Sequence, residues 1–127
     1  MSLKFSRQRE SIRENLMNRA DHPTADMIYS DIRRIYPNIS LGTVYRNLAL
    51  LTEQGEIARI TTPDGVLRYD RNILAHDHFF CRSCGKIIDL PPACTDELKA
   101  QAQDSFSGRI DDCEITFYGQ CQECADQ

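Results

Sequence analysis

The sequence predicts an α+β protein: an N-terminal winged helix-turn-helix domain over residues 1–71 and a small α/β domain over residues 72–127. Three observations predict this. Helical periodicity with capping residues fills the first half, a Pro-Asp-Gly turn lies between two β-type runs, and two C-x-x-C pairs flank mixed strand and helix patterns. Charge divides in the same way, with eleven Lys/Arg against nine Asp/Glu in 1–71 and four against ten in 72–127. The halves therefore suit different partners.

Two helices are predicted first. The first, at about residues 7–18, carries Ile12 and Leu16 on one face. The second follows Thr24, an N-cap candidate, and stops before Pro37, which cannot continue a helix. Its apolar stripe recurs at i, i+4 and i+7 and consists of Ile28, Ile32 and Ile35.

The third helix is predicted between Ser40, a second N-cap candidate, and Gly55, a residue typical of helix ends. Its buried stripe is Leu41, Val44, Leu48 and Leu51. Because a short turn joins this helix to the second one, the pair is a helix-turn-helix pattern.

The polar face of the third helix predicts DNA contact. Thr43, Tyr45, Arg46 and Asn47 lie off the apolar stripe near the end that meets bases in a recognition helix. Tyr45 could pack on a thymine methyl group, and Arg46 could bind a phosphate or a guanine. Lys4 could add a contact to the DNA backbone or minor groove. A solvated helix face is the alternative, but the capped turn, the wing and the positive balance of residues 1–71 together favour DNA binding.

The remaining elements are short. Two β-type runs in "EIARITTPDGVLRYD" flank the turn at residues 63–65 and form the wing. Strands are then predicted at residues 79–81 and 86–90, a helix at 95–106 and a last strand at 114–118. This order gives a small α/β unit.

Four cysteines predict a structural zinc site. Cys81, Cys84, Cys121 and Cys124 form two chelating C-x-x-C turns, the ligand set of a closed tetrahedral Zn2+ site. A thiol-disulfide centre is the alternative. Reactive thiols of that kind usually lie at a helix N-terminus, whereas Cys81 and Cys84 lie between two strand-like runs. Cys94 and Cys113 receive no role, because single cysteines are most often small buried hydrophobes.

A second metal site is predicted beside the first. His76 and His78 alternate along a strand, so both imidazoles can reach one ion near Asp70, Asp77 and Asp89. Nitrogen and carboxylate donors suit Fe2+ or Mn2+ better than a metal that prefers thiolates. The spacing does not name all the ligands.

No apolar run in the sequence reaches the length of a membrane span, and "MSLKFSRQRE" lacks the apolar region of a secretory signal. We therefore expect a cytoplasmic protein with reduced thiols and no membrane partner. Neither the motifs nor the composition predicts an enzyme.

The chain resembles the ferric uptake regulator (Fur) family of bacterial metal-dependent repressors over almost its whole length. The resemblance rests on four segments: "HPTADMIYSDIRRIYPNISLGTVYRNLALLTEQGEI", "RYD", "HDHFFCRSCGKIIDL" and "FYGQCQEC". It implies a winged-helix domain, a hinge and a C-terminal α/β dimerisation domain, and therefore a homodimer on a palindromic double-stranded DNA operator.

The resemblance also implies residue roles. The structural zinc falls on the same four cysteines, and the DNA-contacting residues fall on Tyr45, Arg46 and Lys4. The regulatory ion is expected to close the domains and set the spacing of the two recognition helices. Its ligands are His22, Asp70, His76, His78 and Asp89.

Two details point to the peroxide-sensing branch of the family. Asp stands at both 70 and 89, where iron-sensing members more often have Glu, and Asp70 and His76 are six positions apart. In such a sensor, Fe2+ and H2O2 lead to oxidation of His22 or His76, whereas Mn2+ keeps the repressor closed. The alternative is an iron or manganese uptake regulator that responds only to metal occupancy. A weak third metal site could involve Asp77, Asp96 and Cys113.

Overall fold

The computed structural model describes residues 6–74, 76–92 and 95–126, without the side chain of residue 95. The chain divides into two compact units, Met1–Ile73 and Leu74–Gln127. No helix in these described ranges is long and apolar enough to cross a membrane.

Three capped helices and a hairpin form the N-terminal unit. Its elements are α1 (Arg7–Met17), α2 (Ala25–Ile32), α3 (Leu41–Glu53), β1 (Ala58–Thr61) and β2 (Leu67–Asp70). The predicted N-caps are confirmed, since the Thr24 hydroxyl accepts from the Met27 N–H and the Ser40 hydroxyl from the Thr43 N–H. Each cap satisfies one backbone donor that the first helical turn leaves open.

An apolar core joins these helices to strand β2. Ile12, Leu16 and Leu48 are fully buried, and Tyr69 of β2 is 2% exposed. The cluster as a whole comprises Ile12, Leu16, Ala25, Ile28, Ile32, Ile39, Val44, Leu48, Leu51, Ile57 and Tyr69. The apolar face predicted for the first helix is therefore confirmed.

Three positions differ from the predicted stripes. Leu41, the first residue of α3, is only half-buried. Ile35 is 63% exposed, because α2 ends at Ile32 and the chain leaves the helical path before Ile35. Asn47 was expected to point outward but is 8% exposed. It lies three residues after Val44 and four before Leu51, so it falls on the same helical face as both.

Two glycines allow the turns that follow α3. Gly55, at φ +74°, lies just past the helix end, and Gly65, at φ +80°, lies in the turn between the wing strands. The side chain of Asp64 orders this turn by accepting hydrogen bonds from the Thr62 hydroxyl and the Val66 N–H. Strands β1 and β2 pair antiparallel, as the wing prediction requires.

The C-terminal unit is a three-stranded sheet with one longer helix and one short one. Its elements are β3 (Asp77–Cys81), β4 (Ile87–Leu90), α4 (Thr95–Asp104), β5 (Thr116–Gly119) and α5 (Gln122–Ala125). The strand order is β4-β3-β5. Helix α4 lies between β4 and β5 in the sequence, and β5 pairs parallel to β3. Helix α5 was not predicted, and the other elements shift by one to two residues.

Candidate metal centres and DNA-reading helix

The sheet register brings the two C-x-x-C pairs together. Cys81 is the last residue of β3, and its register partner on β5 is Gly119, two residues before Cys121. Cys84 follows in the turn that leads to β4. Because β3 and β5 are parallel neighbours, both cysteine pairs lie at the same end of the sheet, where these two strands finish.

The four sulfur atoms are spaced for one tetrahedral ion. The Sγ atoms of Cys81, Cys84, Cys121 and Cys124 all lie within 4.8 Å of one another. Cys84 Sγ and Cys121 Sγ are 3.8 Å apart. Four sulfurs bound to Zn2+ at about 2.3 Å would themselves be separated by about 3.8 Å. The donor set therefore fits a structural zinc.

Backbone dipoles and crowding act on these thiols in opposite directions. Hydrogen bonds from the Cys121 and Cys84 N–H groups, each 3.4 Å long, lower the pKa of the Cys81 thiol to about 6. Hydrogen bonding with the Cys121 and Cys81 sulfurs raises the pKa of Cys124 to about 12. Four clustered thiols can all lose their protons when a bound cation balances the negative charge, and Zn2+ would supply that balance.

The arrangement does not favour two separate redox centres. All described cysteines are free thiols. Cys121 is the N-cap residue of the short helix α5, a location that a reactive thiol could use. However, both pairs converge on one point, which is the arrangement of a metal site.

The N-terminal unit contributes a histidine and a carboxylate. His22 lies in the loop between α1 and α2, Asp70 ends strand β2, and His22 Nε2 is 3.5 Å from Asp70 Oδ2. Both side chains are largely buried, at 7% and 3% exposure. Burying a carboxylate costs free energy unless a positive charge lies beside it, so a metal ion bound by both side chains would stabilise this pair.

The C-terminal unit contributes two histidines and a carboxylate. His76 lies one residue before β3 and His78 lies within it, and their ring centroids are 4.4 Å apart. Asp89 Oδ1 lies 3.3 Å from His76 Nε2 and 3.4 Å from His78 Nε2. His78 and Asp89 are register partners on β3 and β4, so the sheet itself pairs them.

The five predicted ligands thus form two preassembled groups, each inside its own unit. Donor atoms bound to one ion at about 2.0–2.2 Å are typically about 3–4 Å apart. The three histidine nitrogen to carboxylate oxygen distances, 3.5, 3.3 and 3.4 Å, lie in that range. Nitrogen and carboxylate oxygen atoms are the donors that Fe2+ and Mn2+ accept. The donor set of each group therefore fits such an ion.

The third site receives no such support. Among the described residues, Asp77, Asp96 and Cys113 do not form a group of converging donors. Asp77 is buried at the start of β3, whereas Asp96 is exposed on α4 and Cys113 is half-buried before β5. Their positions therefore give no support for a weak third site.

The first turns of α3 present the predicted DNA-contacting side chains. Tyr45 is 42% exposed, and Arg46 is exposed with its guanidinium 3.1 Å from the Thr43 hydroxyl. The Thr43 hydroxyl in turn contacts Ser40 at 2.9 Å. Arg46 is therefore oriented by the helix N-cap. Lys4 and Cys94 lie outside the described residues.

The sequence matches the model of the ferric uptake regulator family over residues 1–118. The chain belongs to the ferric uptake regulator family. Cys121 and Cys124 lie beyond the matched range, so their part in the metal centre rests on the sulfur geometry above.

Known proteins similar to this Fur-family chain include regulators of both metal and peroxide responses. A peroxide operon regulator of Bacillus subtilis is 36% identical over 123 residues, which cover 97% of this chain and 85% of that protein. The solved Campylobacter jejuni peroxide stress regulator is 32% identical with a TM-score of 0.76, covering 92% and 88% of the two chains. The Helicobacter pylori ferric uptake regulator, whose structure has three functional metal-binding sites, is 27% identical with a TM-score of 0.82, covering 98% and 84%.

These likenesses confirm the predicted family, the α+β fold class and the function as a metal-dependent transcriptional repressor of the peroxide-responsive kind. The donor sets agree with the predicted cofactors, Zn2+ in the sulfur site and Fe2+ or Mn2+ in the His/Asp groups. Fur-family regulators bind DNA operators and act as dimers.

Sequence reasoning missed the residues that hold the His22 loop. Arg19 binds Asp21 through two contacts of 2.8 and 2.9 Å and binds Asp31 at 2.7 Å. Arg68 donates to the backbone carbonyl of His22 from strand β2. No periodicity or motif signals these contacts, because the Arg19 side chain folds onto a loop carboxylate and onto α2, and the Arg68 contact joins residues 46 positions apart.

Proposed function

We propose that this Fur-family protein represses transcription by binding DNA when its His/Asp site holds Fe2+ or Mn2+, and releases DNA when H2O2 and Fe2+ oxidise a ligand histidine. One observation carries the proposal: the His/Asp donors are divided between the two units. His22 and Asp70 belong to the N-terminal unit, and His76, His78 and Asp89 belong to the C-terminal one.

The N-terminal unit is proposed to read DNA through the start of α3. Tyr45 and Arg46 present aromatic and guanidinium groups of the kind that contact base edges and phosphates. Thr43 fixes the orientation of Arg46, and Lys4 is proposed as a further contact on the same DNA. The net positive balance of residues 1–71 supports this assignment.

An ion that takes ligands from both groups would link the two units. A ligand shifts a conformational equilibrium only through its different affinity for the states, and an ion satisfied by five ligands favours the state that provides all five. In a dimer, that state would set the distance between the two α3 helices. A palindromic operator with half-sites about one helical turn, or a multiple, apart would then be bound selectively.

The same ligands are proposed to sense peroxide. Fe2+ held by these residues would supply the electron that starts cleavage of the O–O bond of H2O2. Overall, an imidazole C–H group of His22 or His76 would gain one oxygen atom and the second oxygen would leave as water, so the two-electron reduction of H2O2 matches the two-electron oxidation of the histidine. An oxidised imidazole is a poorer metal ligand, so the link between the units weakens. The likeness to the Bacillus subtilis peroxide operon regulator supports this branch.

A homodimer is proposed through the C-terminal unit. Phe106, Phe117 and Tyr118 are 55%, 46% and 48% exposed, which is high for large apolar side chains. Phe117 and Tyr118 lie on β5, an edge strand of the sheet. Covering such residues is a common reason for two copies to associate.

A regulator of this kind would act in the cytoplasm, where its operators lie and where its thiols stay reduced. We propose no enzymatic role, and no small molecule other than the metal ions and H2O2 is expected to bind.

The test compares iron-loaded and manganese-loaded protein before and after H2O2. We expect a mass gain of one oxygen atom on the His22 or His76 peptide, with loss of DNA binding, only in the iron-loaded sample. Unmodified histidines and full DNA affinity in that sample would instead establish a regulator that responds to metal occupancy alone.

A His76→Ala variant provides the matched check on the metal step. Removing a direct ligand should weaken Mn2+ binding by more than the roughly 10- to 100-fold typical of outer-shell changes. Zinc content should remain unchanged, because the four cysteines are intact. The proposal would be contradicted if the wild type bound DNA without Fe2+ or Mn2+. It would also be contradicted if the purified protein contained no zinc and showed disulfide reductase activity.

A further inference from the structure

We propose that Arg68 is a positioning residue for the regulatory metal ion: its guanidinium holds the backbone of His22 against strand β2, so that the His22 imidazole stands beside Asp70. The inference rests on the proposed function, and it adds a residue outside the ligand set.

Two hydrogen bonds fasten the His22 loop to β2. Arg68 Nη1 donates to the His22 carbonyl at 3.0 Å, across 46 positions of sequence. The Tyr69 N–H donates to the Pro23 carbonyl, also at 3.0 Å. Asp70, the second donor of this unit, is the next residue along the same strand. Three consecutive residues of β2 therefore hold the loop or contact its histidine.

The Arg68 side chain is turned toward the protein. Its Nε is buried, and the residue as a whole is half-buried. A guanidinium used mainly for DNA phosphates would extend into solvent, as the exposed Arg59 of the neighbouring strand does. The geometry thus distinguishes Arg68 from a residue of the DNA-contacting surface.

A charged donor on the His22 carbonyl restricts the backbone that carries the ligand. Without it, the loop would keep the Tyr69 hydrogen bond but lose the hydrogen bond that the Arg68 guanidinium donates to the His22 carbonyl. The ion would then have to order the loop on binding, and that ordering reduces affinity. Preorganisation of His22 beside Asp70 removes this cost before the ion arrives.

The experiment measures Mn2+ affinity of the zinc-loaded, full-length protein by calorimetry. Arg68→Ala should weaken Mn2+ binding by about 10-fold, the lower end of outer-shell effects. Arg68→Lys, which keeps a charged donor of similar reach, should recover most of that loss. Arg59→Ala, on the other wing strand, should leave the Mn2+ affinity unchanged.

A double-variant cycle tests whether Arg68 acts through His22. In a His22→Ala background, Arg68→Ala should change the Mn2+ affinity by less than about twofold, because residues that act as a unit are not additive. In zinc-loaded protein without Mn2+, Arg68→Ala should also speed hydrogen exchange at the Tyr69 amide by about 10-fold, since the loop that accepts this bond is loosened.

The outcomes separate this inference from the proposed function. Additive effects of the two substitutions on Mn2+ affinity would overturn the positioning role. An unchanged Mn2+ affinity with weaker DNA binding at saturating Mn2+ would also overturn it, and would make Arg68 a DNA contact. Should Arg68→Ala fail to hold zinc or to melt cooperatively, Arg68→Gln replaces it with the same expectations. If wild-type protein bound no Mn2+, the proposed function itself would fail.

Discussion

The N-terminal unit is held together by apolar side chains, whereas the described part of the C-terminal unit has few buried apolar residues and a cluster of four cysteine sulfurs. Helices α1 to α3 and strand β2 bury a continuous apolar cluster in which Ile12, Leu16 and Leu48 have no exposed surface. In the described part of the C-terminal unit, the buried apolar residues are Phe80, Cys81 and Cys121. Two of these three are zinc ligands in the proposed site.

The difference shows how a short segment obtains a stable fold. A unit the length of residues 74–127 cannot bury enough apolar surface to offset its conformational entropy with a wide margin, and domains below about 70 residues often depend on metals or association. In the proposed zinc site, four thiolates on one ion would take the place of a core, because the binding energy of a structural metal contributes directly to folding.

The largest expected effect comes from Cys121→Ser, which removes a buried ligand from the sulfur cluster. We expect zinc content to fall from about one per chain to near zero, with loss of cooperative folding in the C-terminal unit only. Zinc assay and hydrogen exchange resolved by unit measure the two results. Cys113→Ser is the control, and it should keep its zinc. A zinc-free variant that still protects β3 and β5 would remove the contrast between the units.

The converse change is Leu48→Ala at the centre of the apolar cluster. Because Leu48 is fully buried, we expect the N-terminal unit to lose about 3 kcal/mol of its unfolding free energy. Zinc content and protection of the C-terminal sheet should not change. Urea denaturation gives the unfolding free energy, and hydrogen exchange shows which unit loses protection. Ile35→Ala, at a 63% exposed site, should cost less than about 0.5 kcal/mol.

A smaller effect is expected from a substitution that tests whether the N-terminal unit binds DNA. Arg46→Ala should weaken operator binding by about 2 kcal/mol, without changing Mn2+ affinity or zinc content. Binding would be measured by fluorescence anisotropy with manganese-loaded protein at fixed salt. Arg34→Ala, which removes another exposed arginine of the same unit, is the comparison. Equal losses in the two variants would indicate a general charge effect rather than a specific contact.

The smallest expected effect concerns the surface of the same unit. Arg19→Ala removes contacts to Asp21 and Asp31, and partly exposed ion pairs of this kind contribute about 0.5–1 kcal/mol. The hydrogen bond from Arg19 holds the pKa of the Asp21 carboxyl below its ordinary value. A depressed folded-state pKa means that this stability is present above the unfolded value, near about 3.9, and is lost as pH falls through the folded one.

Unfolding free energies at several pH values check this prediction. Wild type and Arg19→Ala should differ at neutral pH, and the difference should shrink as the pH falls through the depressed pKa of the folded Asp21 carboxyl. A constant difference across that range would mean that Arg19 acts through packing rather than charge.

Local chemistry determined much of this protein from the sequence alone. Hydroxyl side chains at Thr24 and Ser40 could be recognised as caps, and the Pro-Asp-Gly turn marked the wing, because these signals act between neighbours in the chain. The same holds for the two C-x-x-C pairs, whose donor type indicates zinc at any position in a fold.

Tertiary structure decided which side chains meet. The parallel pairing of β5 with β3 brings the second cysteine pair to the first, and no periodicity in the sequence encodes that pairing. Burial of Asn47 and exposure of Ile35 depend on where a neighbouring helix covers a face or the chain leaves its helical path. The anchoring of His22 by Arg68 joins residues 46 positions apart, a contact that exists only after strand β2 has packed against the α1–α2 loop.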